Sequence, residues 1–420
     1  MRQLFNKTTF KNFLTLMSGS FFAQVFTLAL YPLLTHLYLP EEFGIYGLYS
    51  AILIAVATLA NGGYNNTILL PKKDSDAYHL LVLCGIFVVG ISFLSLVIVL
   101  IFKNILLGML KDKGSEWIYL LPISILLEGF YFSFSAILNR EGNYKALTRA
   151  KILQALLSGG VSILIGYWLS GGLSGLIVGM IFGQFVSILS MIIEIIKSFP
   201  LKEVQWARIK QLSQEYKDFP RFELASGYLN ALSRQIPFFI IPFYYNAEVL
   251  GHFTLAHKIL TAPITFIGAS VSQLYFQKAA KAKHESPGKI NTINYKITLG
   301  FGGLSIVPVL LIVIFGPEIF ELIFGEDYTT SGYYARWLAP WVAMMYILNP
   351  LSFLIDIFGK LKFHFIYNIL LFISRVIISL VGGVFFSAEI TIALFGISGF
   401  LFSLTLLIYL LGLDKVVKMK

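Results

Sequence analysis

Apolar runs long enough to cross a membrane recur along the whole chain, and this feature limits its fold more than any other. A bilayer core about 30 Å thick needs roughly 20 helical residues. Twelve runs of that order occur, at about 13–38, 43–70, 78–102, 117–138, 152–170, 172–196, 222–245, 249–276, 292–316, 333–358, 363–386 and 389–412. A transmembrane β-barrel would instead show alternating segments of about ten residues. The sequence therefore predicts an all-α integral membrane protein with twelve transmembrane helices.

Composition and motifs narrow the function. Charged residues are 13% and hydrophobic residues 57% of 420 positions, whereas soluble chains average about 25% charged residues. The connections are too short to hold a soluble catalytic domain, and no nucleotide-binding loop of the G-x-x-x-x-G-K-[ST] type occurs. The histidines are scattered, and the single cysteine, Cys84, cannot form an intrachain disulfide. We therefore expect a protein that is not an enzyme and holds no metal or other cofactor.

The basic residues predict the orientation. Most of the 32 Lys and Arg fall in the N-terminus, the even-numbered connections and the C-terminus, and only Lys103, Lys111 and Lys113 fall in connections on the other side. The positive-inside rule places both termini and the connections 197–221 and 277–291 in the cytoplasm. The predicted domains are an N-terminal lobe of six helices (1–196), a cytoplasmic linker (197–221) and a C-terminal lobe of six helices (222–420). The net charge of +10 is therefore interpreted as a signal of membrane orientation. No nucleic acid partner is expected.

An internal repeat supports this layout. Residues 40–53 align with residues 247–260, with identical Glu, Gly, Leu, Ile and Leu at matching places. Both segments follow the first helix of a six-helix set. An even number of helices in each copy makes the repeats parallel, related by an axis along the membrane normal. Two similar lobes with a cleft between them are expected of an alternating-access transporter.

Several of these segments resemble the O-antigen and polysaccharide flippase family of the MOP (multidrug/oligosaccharidyl-lipid/polysaccharide) exporter superfamily. The similar stretches are 32–46, 69–77, 251–256, Pro263, Ser272-Gln273, Phe276 and 316–325. One departure is His36, where family members often carry Arg, so an anionic contact there is in doubt. The superfamily also contains the multidrug (MATE) antiporters and the peptidoglycan lipid flippase.

The resemblance implies a MATE-like bundle in the bacterial inner membrane. Such a protein moves an undecaprenyl-diphosphate-linked oligosaccharide, an O-antigen or related polysaccharide repeat unit, from the cytoplasmic to the periplasmic leaflet. The partners implied are this lipid-linked oligosaccharide, membrane lipids, a polysaccharide polymerase and a chain-length regulator. Coupling to a proton or sodium gradient is a separate hypothesis, which rests on Glu128 rather than on the resemblance.

Four charged residues lie deep in predicted spans: Glu128, Arg234, Lys258 and Arg375. A charge at the bilayer centre costs about 2.5–3.5 kcal/mol, so such residues tend to face watery cavities and to be functional. Polar residues three, four or seven positions apart accompany them on one helical face. The candidates for cavity lining are Gln24, Thr27, Tyr31, Tyr131, Asn230, Asn349 and Asn368, and those for ion coupling are Glu128 and Asp356.

Two interpretations of these stripes stay open. The stripes can hold the helices together through interhelical hydrogen bonds, with Glu128 paired to a basic residue. Alternatively, three deep basic groups and one acidic group leave an excess of about +2, which suits a diphosphate because Arg and Lys both bind phosphate. Arg234, Arg375 and Lys258 are then the predicted diphosphate ligands. Pro237, Pro242 and Pro263 either interrupt the helices beside Arg234 and Lys258, as at many transporter sites, or are the ordinary prolines of membrane helices.

Two rival functions, and a structural scaffold without transport, remain open at this stage. A MATE-type drug or cation antiporter would share the fold, but a pocket for organic cations should be acidic. A membrane glycan polymerase or ligase typically needs a large periplasmic loop, and the longest outer connections here, near 103–116 and 317–332, are short.

Overall fold

A computed structural model describes residues 7–109, 115–168, 172–199, 204–264, 275 and 287–417. Within these ranges all regular structure is helical. The helices in chain order are α1 (Lys7–Leu37), α2 (Pro40–Ala60), α3 (Asp74–Met109), α4 (Leu121–Arg140), α5 (Tyr144–Trp168), α6 (Leu173–Ser198), α7 (Trp206–Glu215), α8 (Leu224–Tyr244), α9 (247–264), α10 (Pro287–Phe324), α11 (Thr329–Leu351), α12 (Leu354–Ile357), α13 (Leu361–Phe385) and α14 (Ala388–Val417). Short 3₁₀ turns occupy Asn65–Leu69, Ser115–Leu120 and Glu326–Tyr328, and a π turn occupies Phe219–Glu223.

Nine helices in the described part of the chain are long and apolar enough to cross a membrane. They are α1 to α6, α10, α13 and α14. The other three predicted spans are also helical: α8 and α11 have the length but carry more polar residues, and α9 is described only as far as 264. Except for Tyr275, the rest of that span lies outside the described residues. The motif residues Ser272, Gln273 and Phe276 lie there too.

The prolines do not interrupt α8. Pro237 and Pro242 both lie inside a helix that continues from Leu224 to Tyr244. Of the two alternatives for these prolines, the break beside Arg234 is therefore wrong. Proline is common in membrane helices, where neighbouring groups replace the missing hydrogen bond. Pro263 lies within α9, one residue before the last residue described there.

Contacts divide the chain into two compact units. Unit 1 comprises Met1–Tyr38 and Ile45–Gln235, and unit 2 comprises Leu39–Gly44 and Ile236–Lys420. Helix α8 therefore contributes its first half to unit 1 and its second half to unit 2. The lobe and linker boundaries derived from the sequence stay a prediction.

Unit 1 fixes α7, part of the predicted linker, against its membrane helices. Ile209 and Leu212 on one face of α7 are buried in the same apolar core as Leu80 of α3. On another face, the Arg208 guanidinium donates to both carboxylate oxygens of Asp76, at 2.8 and 2.7 Å. These hydrogen bonds raise the pKa of Arg208, which stays charged. The segment after the sixth span is thus a docked helix.

Unit 2 contains a close crossing of two helix beginnings. The segment Leu39–Gly44, at the start of α2, belongs to this unit and meets the start of α9. A Cβ built on Gly44 would overlap the carbonyl oxygen of Ala247, and one built on Gly251 would overlap that of Pro40. The two glycines occupy matching positions of the internal repeat, as do Pro40 and Ala247. The contact is therefore reciprocal, and only glycine allows the backbones to approach so closely.

The core of unit 2 lies mainly among α10, α11 and α14. Leu348 and Leu351 of α11 pack with Phe301 of α10 and Leu410 of α14. Helix α10 has non-helical dihedral angles at Phe315, two residues before Pro317. Proline removes a backbone donor and clashes with the preceding turn, which accounts for this kink.

Candidate functional site

Arg234 lies near the middle of α8 with an exposed side chain. No hydrogen bond or ion pair engages its guanidinium within the described ranges. Asn230, one turn earlier on the same face, is partly buried, and Gly227, two turns earlier, is exposed. Among the described side chains of α8, Phe243, near the end of the helix, is the only large apolar one that is exposed.

The composition of this face indicates what it meets. Helix α10 shows what a lipid-facing surface looks like here, because Leu304, Val307 and Leu310 are each more than half exposed. The described side chains on the face of α8 around Arg234 include none that is comparable. An exposed guanidinium is costly against hydrocarbon but not against water. The face therefore has the character of a wet surface rather than a lipid contact.

Arg375, on α13, has very different surroundings. Only 2% of its surface is exposed, and its guanidinium carbon lies 4.7 Å from the ring centres of both Trp341 and Phe395. The two rings contact each other edge to face, with centroids 5.3 Å apart. Cation–π contacts of desolvated groups are worth about 2 kcal/mol or more. The two rings thus restrict the position of the guanidinium.

The aromatic partners of Arg375 extend towards α9. His257 packs against Trp341 with ring centroids 6.3 Å apart, and Phe253 packs against Phe395 at the same separation. Lys258, which follows His257, is partly buried. Sequence reasoning missed Trp341 and Phe395, because an aromatic residue in an apolar span gives no signal of its role.

Glu128, on α4, is hydrogen-bonded to a neutral group. Gln184 Nε2 of α6 donates to Glu128 Oε2 at 2.7 Å. Gln184 is buried and Glu128 partly buried. Tyr131, three residues further along α4, is also partly buried. The sequence offered a sign of Gln184 that was overlooked: it is a long polar residue in an otherwise apolar span, followed three positions later by Ser187.

Helix α1 carries a polar stripe that consists of Ser20, Gln24, Thr27 and Tyr31. Its first member, Ser20, contacts Lys151, which lies just before the fifth predicted span. Lys151 Nζ of α5 donates to Ser20 Oγ at 3.1 Å. Gln24 and Thr27 are partly buried, and Tyr31 is buried. Lys151 begins a polar stripe of its own with Gln154, Ser158 and Ser162 at helical spacing. That spacing could have identified Lys151 from the sequence.

The remaining predicted residues belong to unit 2. Asn368 lies two turns before Arg375 on α13 and is buried, and Asn349 on α11 is partly buried. Asp356 lies in α12, and its side chain is outside what the structure describes. Unit 1 therefore carries Arg234, Glu128 and the α1 stripe, whereas unit 2 carries Lys258 and Arg375.

Comparisons with known sequences identify relatives in polysaccharide synthesis. The model of a family described as "Polysaccharide biosynthesis protein" matches residues 33–332, well over half of the chain. A curated relative, the teichuronic acid biosynthesis protein TuaB of Bacillus subtilis (strain 168), is 30% identical over 139 residues. This match covers 33% of the chain and 26% of the relative. The chain thus spans about a quarter of the length of the curated relative it matches.

Comparisons with solved structures identify the fold. An inward-facing MATE family multidrug resistance transporter of the MOP superfamily has a TM-score of 0.74 at 16% identity, covering 94% of this chain and 96% of its own. The lipid II flippase MurJ in an inward closed conformation has a TM-score of 0.70 at 14% identity, covering 94% and 87%. A MOP superfamily transporter from Pyrococcus furiosus Vc1, described as having a binding pocket of reverse polarity that suggests a different function, has a TM-score of 0.68 at 17% identity, covering 97% and 95%.

At these identities the structural likeness shows the fold alone. It confirms the predicted all-α, MATE-like membrane fold, which spans nearly the whole chain. The protein is therefore a multi-pass membrane protein. The family match confirms the resemblance to polysaccharide exporters. This chain, whose fold is similar to that of MOP superfamily transporters, belongs to the polysaccharide biosynthesis protein family.

Proposed function

We propose that the protein is a flippase that moves a polyprenyl-diphosphate-linked oligosaccharide across the bacterial inner membrane. The substrate is an O-antigen or related polysaccharide repeat unit, carried from the cytoplasmic to the periplasmic leaflet by alternating access. Membership of a polysaccharide biosynthesis family and the role of a relative in making teichuronic acid support a glycan precursor. The fold it shares with MurJ, a lipid II flippase, supports transport of a lipid-linked substrate.

The observation that carries this proposal is the exposed guanidinium of Arg234 on a polar face of an apolar helix. A planar guanidinium binds phosphate oxygens through two parallel hydrogen bonds, and such charged bonds are shorter and stronger than neutral ones. Arg375 and Lys258 are proposed as further diphosphate ligands, which bind at other stages of the transport cycle than Arg234 does. Asn230 and the other polar residues of the stripes are proposed to contact the sugars.

The charge of these residues also separates a flippase from the drug antiporters that share its fold. A pocket that binds organic cations should carry carboxylates. Of the four deep charged residues predicted from the sequence, Arg234, Lys258 and Arg375 are basic. The acidic one, Glu128, is hydrogen-bonded to Gln184.

Replacement of the arginines tests the proposal. A hydrogen bond to a charged group contributes about 1.5–3 kcal/mol, so Arg234→Ala should lower the affinity for the lipid diphosphate by roughly 10- to 150-fold. Arg375→Ala should also reduce transport. Arg234→Lys keeps the charge but loses the two-pronged geometry, so it should be intermediate. Transport is measured in proteoliposomes with a polyprenyl-diphosphate-linked oligosaccharide, and surface glycan is measured in cells.

Lys296→Ala is the matched control, because it removes an exposed cation from α10. It should leave transport unchanged. Protein abundance in the membrane is measured for every variant, so that loss of transport is not confused with loss of protein. Normal transport and normal surface glycan in both Arg234→Ala and Arg375→Ala would contradict the assignment.

A further inference from the structure

A polar pocket lies in unit 1 where the end of α2 meets the beginning of α8. Its volume is about 250 Å³. Asn61, Asn65 and Asn66 supply amide groups, Thr58 and Tyr228 supply hydroxyls, and Phe132 supplies an aromatic ring. We name it the amide pocket. All of its lining residues lie between positions 58 and 228, within one unit.

The backbone holds this pocket in shape. Gly62 and Gly63 have φ values of +57° and +77°, a conformation that favours glycine. The turn they form leads directly into the 3₁₀ turn Asn65–Leu69. It also approaches α8 closely, since a Cβ on Gly63 would lie 3.0 Å from the Leu224 Cβ. Asn61 is 2% exposed, and its side-chain oxygen accepts a 2.5 Å hydrogen bond from Ser133 Oγ. This bond engages the amide oxygen, and the other end of an asparagine amide is a hydrogen-bond donor.

The chemistry of the lining selects the kind of ligand. None of the lining residues that the structure describes carries a charge. Among them there is neither the Arg or Lys that a phosphate needs nor the carboxylate that a cation needs. An amide side chain both donates and accepts hydrogen bonds, which matches the hydroxyl groups of a sugar. An aromatic ring offers an apolar face to the C–H side of a sugar ring. The lining therefore suits an uncharged polyhydroxyl ring.

The size and position of the pocket connect it with Arg234. Small-molecule pockets commonly measure about 300–1,000 Å³, so 250 Å³ suits one sugar residue rather than a whole repeat unit. Gly227 lines the pocket and shares a face of α8 with Arg234, seven residues later. Seven residues of α-helix span about 10 Å. One oligosaccharide can thus contact the pocket while its diphosphate contacts Arg234.

We propose that the amide pocket binds one uncharged sugar residue of the transported oligosaccharide. This inference rests on the proposed flippase function, and it adds a sugar subsite in unit 1. Because it is lined mainly by the end of α2, the 3₁₀ turn and the start of α8, it lies at the same end of unit 1 as the docked helix α7.

Site-specific labelling tests the proposal. Gly227→Cys places a thiol at the wall of the pocket, where a Cβ meets nothing within 4 Å. The native Cys84 is buried and gives a low background. The purified protein is treated with a hydrophilic maleimide, with or without glucose, galactose, N-acetylglucosamine, glucuronate or inorganic phosphate. We expect at least one neutral sugar to slow labelling about threefold at a concentration twice its Kd, and phosphate to have no such effect.

Glu326→Cys is the reference variant, because Glu326 is exposed in the 3₁₀ turn Glu326–Tyr328, outside the apolar helices, and belongs to unit 2 rather than to the unit that holds the pocket. Sugars should not change its labelling rate. The proposal is overturned if no neutral sugar protects the thiol at 227 more than the thiol at 326, if the thiol at 227 does not react, or if glucuronate or phosphate protects it best. The Arg234→Ala transport assay is independent of this labelling, so a flippase without this sugar subsite would be recognised.

Discussion

The two deep arginines differ in how they are held. Arg375 is buried between Trp341 and Phe395, so its position is set by unit 2 itself. Arg234 is exposed and depends on no described protein partner. A guanidinium held by aromatic rings keeps its N–H edge oriented at little further entropy cost, whereas a mobile one must be ordered by its ligand. We therefore expect substrate binding to order the side chain of Arg234 more than that of Arg375.

Glu128 allows a test of ion coupling at the level of one residue. The Glu128→Gln variant keeps the size of the side chain and can still accept a hydrogen bond from Gln184. Its effect on stability should be within about 1 kcal/mol, the net contribution of a typical hydrogen bond. If Glu128 binds the coupling ion, the variant should transport equally fast with and without a proton or sodium gradient. Proteoliposome transport under imposed gradients measures this.

Gln184→Ala is the control for that experiment, because it removes the hydrogen-bond donor and keeps the carboxylate. It should retain a response to the gradient. A Glu128→Gln protein that is stimulated by the gradient as strongly as the native protein would exclude Glu128 as the coupling group. Native transport that is indifferent to both gradients would contradict coupling altogether.

Among the helices, the crossing of α2 with α9 depends on two glycines. The repeat in the sequence indicated that residues 40–53 and 247–260 are equivalent, and both α2 and α9 begin at the matching positions, Pro40 and Ala247. The sequence did not indicate that these helix beginnings touch each other. Gly44 and Gly251 each lie against the backbone of the opposite copy. A sequence shows that the two repeats have the same spacing, but only the three-dimensional structure shows that their backbones approach closely.

An added methyl group at this crossing should destabilise the protein. In both Gly44→Ala and Gly251→Ala, the new Cβ overlaps a backbone oxygen, which cannot move aside as a flexible side chain can. Overpacking of this kind typically costs about 1–3 kcal/mol. The expected result is a lower Tm for each variant in detergent, measured by thermal unfolding.

Gly303→Ala serves as the comparison, since its Cβ meets nothing within 4 Å. Alanine favours the helix by about 1 kcal/mol relative to glycine, so this variant should be as stable as the native protein or more stable. A Tm for Gly44→Ala equal to that of Gly303→Ala would show that the helices can separate at no cost.

Helix positions were predictable from the sequence because the bilayer requires long apolar runs, and all twelve predicted spans coincide with helices in the part of the chain that is described. Their ends were less predictable. Helix α3 continues past Lys103 to Met109, and α10 continues past Pro317 to Phe324, because a helix can extend beyond the hydrocarbon. The partners of charged residues were not predictable, since Gln184 and Trp341 come from helices distant in sequence.

For the whole molecule, the distribution of basic residues predicts which side of the membrane each connection faces. A cysteine at position 210 or 326 tests this orientation, because Lys210 and Glu326 are both exposed and lie in connections expected on opposite sides. In intact spheroplasts, a membrane-impermeant maleimide should label Glu326→Cys and not Lys210→Cys, and both should react after the membrane is opened. The buried Cys84 gives little background. Labelling of Lys210→Cys from outside would reverse the orientation, and with it the direction in which the proposed substrate is carried.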